Sequence, residues 1–273
     1  MAATKSSPGK LKASERTTLI GKLVTPLKKR YGSKVPEPAE PRDVLQTLLF
    51  GAMLEDNTDE AAESGLSSLI TAFHDLNEIR VSSIREIERS ISEMPAADWR
   101  SLRIKDALQH IFELNFNYDL DGLRKKNQDS ANSDLSEIPN ISPFMRLYTL
   151  QAALGNHVVP VDPHQLALLK WLGLSDGDVD GAADELKSAV RKTDGPLVSY
   201  LLRQAANEPG VLVETLEFDA EEAGEVDPKK RISELAALID GGGKSAKKAT
   251  KQTEKKPVKK KAKASAAKKK AAN

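Results

Sequence analysis

The sequence contains no cysteine among its 273 residues. Disulfide bonds, thiolate zinc sites, cysteine nucleophiles and cysteine-held iron–sulfur clusters are therefore excluded. Only oxygen or histidine ligands remain for a metal, and the four histidines are too dispersed along the chain to show metal-ligand spacing. The sequence thus predicts no metal and no other cofactor.

Long apolar runs are also absent. No stretch approaches the roughly 18 apolar residues of a membrane span. The start of the chain is polar and carries lysines, without the apolar centre of a signal peptide. We therefore expect a cytoplasmic protein with no membrane partner.

The small net charge of +1 hides a strong segregation of charge. Residues 241–273 hold 13 lysines against one glutamate, and residues 1–30 are also basic, which leaves about 18 net negative charges between them. Both ends have few large apolar residues, so residues 1–15 and 240–273 are predicted to be disordered. The second of these segments would be a cationic arm that binds DNA or RNA phosphates. Its candidate contacts are Lys247, Lys248, Lys255, Lys256, Lys259, Lys260 and Lys261.

Between these tails, residues 16–239 show helical periodicity almost throughout. Apolar residues recur three and four positions apart, as in the "VLQTLLFGAML" that follows Pro41. Turn signals separate about ten such stretches, so the predicted fold class is all-α. The β-branched stretch 211–218 is the one short extended segment that we expect, and Trp99 and Trp171 are predicted to lie in the core.

Three stretches, taken in order, resemble the helix-hairpin-helix DNA glycosylases, the endonuclease III-like or HhH-GPD superfamily. The resemblance covers roughly residues 19–205 and implies a two-lobed helical domain that binds DNA in base-excision repair. The three stretches are "PRDVLQTLLFGAMLEDNTDEAAESGLSSLITAF", "RSLRIKDALQHIFE" and "DLSEIPNISPFMRLYTLQAALGNHVVPVDPHQLALLKWLGL".

The hairpin of that superfamily reads approximately L-P-G-V-G-x-K-T-A. Its glycines let backbone amides approach a DNA phosphate, because a side chain there would hold the phosphate away. The resemblance implies that Asn140, Ile141 and Ser142 form the corresponding DNA-binding turn. Asn140 and Ser142 replace the glycines and Pro143 lacks an amide hydrogen, so the anion site should be weakened. Asparagine can still adopt the left-handed conformation that such a turn requires.

The lysine that strand-cleaving members use as a Schiff-base nucleophile corresponds to Phe144. A phenyl ring cannot form an imine, so the resemblance implies that lyase activity through this position is absent.

Asp162 lies in "VDPH", which matches the superfamily's V-D-x-H segment. The resemblance implies a catalytic carboxylate that stabilises the cationic sugar during base release or activates the attacking group. The residues alone support a helix N-cap, since aspartate is a preferred N-cap and Pro163 suits the first helical position. Both interpretations remain open. The basic run Arg124, Lys125 and Lys126 is similarly open to two interpretations, a solvated helix end or a set of phosphate contacts.

Three functions follow from these patterns. The first is a divergent endonuclease III-like DNA-binding protein without lyase activity. The second is an active monofunctional DNA glycosylase that acts through Asp162. The third is a non-enzymatic, nucleoid-associated or scaffold protein that binds nucleic acid through its lysine tail.

Overall fold

The computed structural model describes residues 11–38, 40–219 and 226–252, with side chains described as far as residue 241. Within these ranges the chain forms thirteen α-helices and one short 3-10 helix, and no strand. The all-α prediction is therefore confirmed. The helices are α1 (Ala13–Tyr31), α2 (Val44–Leu54), α3 (Asp59–Ala72), α4 (Leu76–Val81), α5 (Ile84–Ser90), α6 (Ala97–Asn115), the 3-10 helix (Asp121–Lys125), α7 (Gln128–Ser136), α8 (Pro143–Ala152), α9 (Pro163–Trp171), α10 (Val179–Ala189), α11 (Gly195–Ala206), α12 (Pro209–Leu216) and α13 (Pro228–Gln252).

The helices pack as two lobes. Helices α2 to α8 contact one another and form the central lobe, whereas α1 packs against α10, α11 and α13 in a terminal lobe that also contains α9 and α12. The chain passes from α1 into the central lobe through a proline-rich linker at residues 35–41 and returns through the buried segment 158–161.

Helix α2 lies at the centre of its lobe, as its apolar sequence predicts. Every residue of this helix except Gln46 is buried. An Asp43 capping box begins the helix, and the buried Arg100 on α6 donates hydrogen bonds to the carbonyl oxygens of Ala52 and Glu55 at its end. Because both ends of α2 are capped, this nearly all-apolar helix can be buried without leaving its terminal polar groups unpaired.

Two predictions about the fold are wrong. Residues 211–218 are not extended, because α12 begins at Pro209 and covers residues 209–216. Proline suits the first turn of a helix, and the burial of Val211 and Thr215 on one helical face outweighs the β-propensity of the stretch. Trp99 is not in the core, because 56 % of its surface is exposed, whereas Trp171 is buried as expected.

The predicted domain boundaries of 16 and 239 stay predictions. Helix α1 begins at Ala13, and α13 continues past residue 240 to Gln252. Gly241, Gly242 and Gly243 lie in this extension and disfavour a helix, so intrinsic propensity does not explain it. The backbone of Lys247 and Lys248 lies on α13, while Lys255, Lys256, Lys259, Lys260 and Lys261 lie outside the described residues.

None of the described helices has both the length and the apolar character needed to cross a membrane.

Candidate functional site between the two lobes

The loop that follows α2 joins the hairpin to the start of α9. Glu55 and Asp56 are adjacent in this loop and their side chains reach in different directions. Glu55 accepts a hydrogen bond from the hydroxyl of Ser142 at 2.9 Å and forms an ion pair with Arg103. Asp56 contacts the first turn of α9 through its backbone amide and through its carboxylate. The structure thus brings two of the predicted site residues, Ser142 and Asp162, to one short loop.

Asp162 is the N-cap of α9 and is fully buried. Its Oδ1 accepts a hydrogen bond from the amide of Gln165 at 2.7 Å, and its Oδ2 accepts one from the amide of Asp56 at 3.3 Å. The Gln165 side chain completes a capping box with the Asp162 amide at 2.9 Å. Both carboxylate oxygens are therefore bound to backbone amides.

The electrostatic environment of Asp162 favours its neutral form. Burial, followed by the nearby carboxylate of Asp56, raises the pKa of Asp162 from 3.8 to about 8. The two amide hydrogen bonds and the positive charge of Arg203 oppose this shift without cancelling it. The pKa of Asp162 therefore lies above that of an exposed aspartate.

Asp56 also binds the N-terminus of α9. Its backbone has a φ of +54°, in the left-handed region, and its Oδ1 accepts a hydrogen bond from the amide of His164 at 2.9 Å. Two carboxyl groups thus share one helix N-terminus, where free amides favour negative charge. The His164 ring contacts the Asn207 side chain through Nδ1 at 2.9 Å.

The predicted hairpin is present as α7, a turn at residues 137–142, and α8. Asn140 has a φ of +58°, which is the left-handed conformation expected where the related hairpins carry glycine. Its side-chain amide donates to the carboxylate of Asp106 at 2.6 Å. The half-buried Ile141 closes the turn by donating from its amide to the carbonyl of Ile138 at 3.3 Å.

Ser142 is a buried N-cap, and the structure does not present it as a surface contact for phosphate. Its hydroxyl accepts from the amide of Met145 at 3.1 Å and donates to Glu55. Only Asn140 among the three predicted residues of the turn is exposed, and it is bound to a carboxylate.

Phe144, the residue that the resemblance equates with the Schiff-base lysine, is fully buried. Its ring stacks on Tyr148 of the same helix, with centroids 5.8 Å apart and an interplanar angle of 16°. Tyr148 in turn lies 6.1 Å from the ring of Phe50 on α2. This position therefore forms part of an aromatic cluster between α2 and α8.

The basic run at Arg124, Lys125 and Lys126 does not lie beside the hairpin turn. Arg124 pairs with Asp121 and donates to the carbonyl of Ala153, at the end of α8 remote from the turn. Since α8 has ten residues, the two places are about 15 Å apart. Lys126 pairs with Asp134, and Lys125 is exposed.

A cavity of about 630 Å³ opens between the lobes. The central lobe contributes α2, α3, α8 and the proline-rich linker to its wall, and the terminal lobe contributes α11. Three aromatic rings line it, those of Phe50, Tyr148 and Tyr200. The Phe50 ring is 2 % exposed and the guanidinium of Arg42 lies 3.8 Å from its centroid, so the half-buried Tyr148 is the ring on which a planar ligand could stack.

The polar wall of the cavity is held by Arg203, which is almost fully buried. Its NH2 group donates to both carboxylate oxygens of Asp59, at 3.0 and 2.9 Å, and Gln204 donates to Asp59 at 2.8 Å. The Nε of Arg203 has no hydrogen-bond partner among the described residues. Nowhere among the residues that the structure describes do three or more possible metal ligands come together.

Sequence reasoning missed most of these residues. It treated "LEDNTDE" only as a polar segment between helices, although Glu55, Asp56 and Asp59 each bind a different distant partner. Four acidic residues within six positions after the most apolar helix were the available signal. Buried carboxylates need partners, so such a cluster indicates a junction between elements.

No protein-family model matches this sequence, and no curated protein matches it. The fold, in contrast, is similar to that of several solved structures. A trapped endonuclease III–DNA covalent intermediate aligns over 71 % of this chain and 85 % of its own, with 14 % identity and a TM-score of 0.54. The chain has the fold of the helix-hairpin-helix DNA glycosylases.

Two further structures agree with this assignment of a glycosylase fold. A thermostable thymine-DNA glycosylase aligns over 70 % of this chain and 85 % of its own, with 12 % identity and a TM-score of 0.51. The 8-oxoguanine glycosylase/lyase of Clostridium acetobutylicum, in complex with double-stranded DNA, aligns over 71 % and 70 %, with 14 % identity and a TM-score of 0.52. The fold prediction made from the sequence is therefore confirmed.

Proposed function

We propose that this protein binds duplex DNA and holds an unstacked base in the cavity between its lobes, without Schiff-base lyase chemistry. The observation that carries the proposal is the cavity itself, with the half-buried ring of Tyr148 in its wall where the hairpin helix α8 faces α11. The glycosylase fold supports DNA as the ligand, since similar structures include an endonuclease III–DNA complex and a glycosylase bound to double-stranded DNA.

The size and chemistry of the cavity fit a nucleobase. Its volume of about 630 Å³ is within the range of small-ligand pockets. Stacking of a base on an aromatic side chain contributes roughly 1–3 kcal/mol and tolerates any base, because every base has a π-face. The partly exposed carboxylate of Asp59 could then accept a hydrogen bond from the edge of the ring.

The absence of lyase chemistry is proposed from Phe144. The ring at this position offers no amine and is buried in the aromatic cluster. The aldehyde carbon of an abasic sugar could therefore not reach a nucleophile there.

Base excision through Asp162 is the weaker alternative. A carboxylate that stabilises a cationic sugar must be ionised and must face the substrate. Asp162 is fully buried, both of its oxygens are bound to amides, and its pKa is raised. We therefore assign Asp162 to capping α9 and joining it to the loop after α2.

Part of the DNA affinity is proposed to reside in the lysine tail. The turn at Asn140 is bound to Asp106, and Arg124 and Lys126 are paired with carboxylates, so few cations near the hairpin are free to bind phosphate. Counterion release by a lysine-rich segment requires no fixed geometry. Such a protein would associate with the nucleoid in a cell.

A binding experiment with three duplexes of one sequence tests the cavity. One duplex is fully paired, one carries a bulged purine, and one carries an abasic residue at that position. The duplex with the bulged purine should bind about tenfold more tightly than the other two. Only this duplex offers a base that can leave the stack at a small cost in free energy. Tyr148→Leu should abolish that preference, whereas Tyr148→Phe, which keeps the ring, should retain it.

Thermal unfolding of both variants checks that the fold is intact. Equal affinity of the parent protein for all three duplexes would rule out base binding and leave only contacts with the backbone.

A further inference from the structure

A second, apolar groove lies on the central lobe, between α2, α3 and α4. It has a volume of about 590 Å³ and shares only Pro38, Arg42 and Glu63 with the interlobe cavity. Its floor consists of buried aliphatic side chains, and its rim includes the exposed Ile70 and the half-buried Phe73 and Leu76. The floor residues are Leu45, Leu49, Leu66, Leu69 and Ile79.

Three aromatic residues, of which Tyr118 and Phe112 are half-buried and Phe116 is exposed, extend this apolar surface beyond the groove. Tyr118 lines the groove and lies 5.6 Å from the ring of Phe112, which contacts Phe116 at 6.2 Å. Phe116 is 80 % exposed and has a φ of +52° at the end of α6. A bulky residue in the left-handed region is strained, and such strain is found most often where a residue has a functional role.

The rim of the groove is acidic. Glu40, Asp43 and Asp75 line it, and the carboxylate of Glu63 is paired with Arg42. A partner that fills the groove must therefore supply apolar side chains on one face and positive charges beside them. Large apolar patches with a polar rim are typical of protein interaction sites.

We propose that this groove docks an amphipathic α-helix with an apolar stripe and basic flanks, supplied by another protein. A helix presents apolar side chains at i, i+3, i+4 and i+7, which suits an elongated apolar floor bounded by helices. The protein's own tail does not meet this requirement. Residues 253–273 are basic, but Val258 is their only large aliphatic residue and they contain no aromatic residue.

The test uses the full-length protein and a labelled 18-residue helical peptide with a leucine stripe and lysine flanks. A control peptide has the same composition, but its leucines are distributed around the helix. Fluorescence anisotropy should show at least a tenfold preference for the striped peptide. This comparison separates docking in the groove from the general attraction between a basic peptide and an acidic surface.

Ile70→Asp should weaken binding of the striped peptide about tenfold. The substitution adds a negative charge that attracts the lysines, so a loss of affinity would not reflect weaker charge attraction and would indicate that the apolar contact is lost. Thermal unfolding checks that the variant is folded. Val213→Asp is the matched control, because Val213 is 56 % exposed and lies on α12 in the other lobe. It should leave the affinity unchanged.

Equal binding of the two peptides, or an unchanged affinity in Ile70→Asp, would overturn the proposal. So would a dimer in sedimentation experiments that Ile70→Asp dissociates, because the groove would then bind a second copy of this chain.

Discussion

Asp162 and Asp56 are joined by a hydrogen bond of 3.3 Å, from the amide of Asp56 to the carboxylate of Asp162, although 106 residues separate them in the sequence. This contact fastens the first turn of α9, in the terminal lobe, to the end of α2, in the central lobe. A residue that the resemblance to glycosylases marks as catalytic is thereby used to join the lobes.

The raised pKa of Asp162 predicts a stability that falls as the pH rises. The folded protein retains a proton up to about pH 8 that the unfolded chain releases near pH 4, so the folded state binds more protons in this interval. Unfolding in urea should show a loss of about 2–4 kcal/mol between pH 5 and pH 8.5. Asp162→Asn should reduce that loss, because an amide does not titrate.

Asp43→Asn is the control for this experiment. Asp43 also forms a capping box with a glutamine three residues later, but it is exposed at the start of α2. Asparagine caps a helix as well as aspartate does, so this variant should keep the pH dependence of the parent protein. The same loss of stability in Asp162→Asn as in the parent would assign the effect to another group.

Ser142→Ala should destabilise the protein by about 2–3 kcal/mol. The change removes the N-cap of α8 and also leaves the buried carboxylate of Glu55 without one of its donors. Ser83→Ala provides the comparison, since Ser83 caps α5 at the surface and its loss should cost only about 1 kcal/mol. Equal costs in urea unfolding would show that the bond to Glu55 contributes nothing.

Sodium borohydride should trap no adduct between the folded domain and abasic DNA. Phe144 supplies no amine at the position of the lyase lysine. Lysines of the tail could react with an aldehyde without any active site, so each adduct should be mapped by peptide mass spectrometry. An adduct on a lysine between residues 16 and 240 would contradict this prediction.

Removal of residues 241–273 should weaken DNA binding and flatten its salt dependence. If roughly five to eight of the 13 lysines reach phosphates, the slope of log K against log salt for the full chain is about −5 to −7. A chain with these lysines replaced by glutamine controls for length and should behave like the truncated protein. Asn140→Ala should change the affinity little, since its side chain is bound to Asp106. A truncated protein with full affinity and an unchanged slope would place the DNA contacts on the folded domain.

The sequence by itself determined the helical character of this protein and much of its local geometry. The apolar spacing of α2, the N-cap at Asp162 and the left-handed turn at Asn140 depend on residues within a few positions of one another, so their physical causes can be read locally. The continuation of α13 past Asp240 does not follow from local propensity, since Gly241, Gly242 and Gly243 disfavour a helix.

Only the tertiary structure decided which side chains are buried and which partners they have. Trp99 and Trp171 have the same chemistry, but one is exposed and the other lies in the core. Ser142 binds Glu55 across 87 residues, and Arg203 binds Asp59 across 144. Such contacts depend on how the helices pack within and between the lobes. Helical periodicity specifies only that each helix has an apolar face, not which helix covers it.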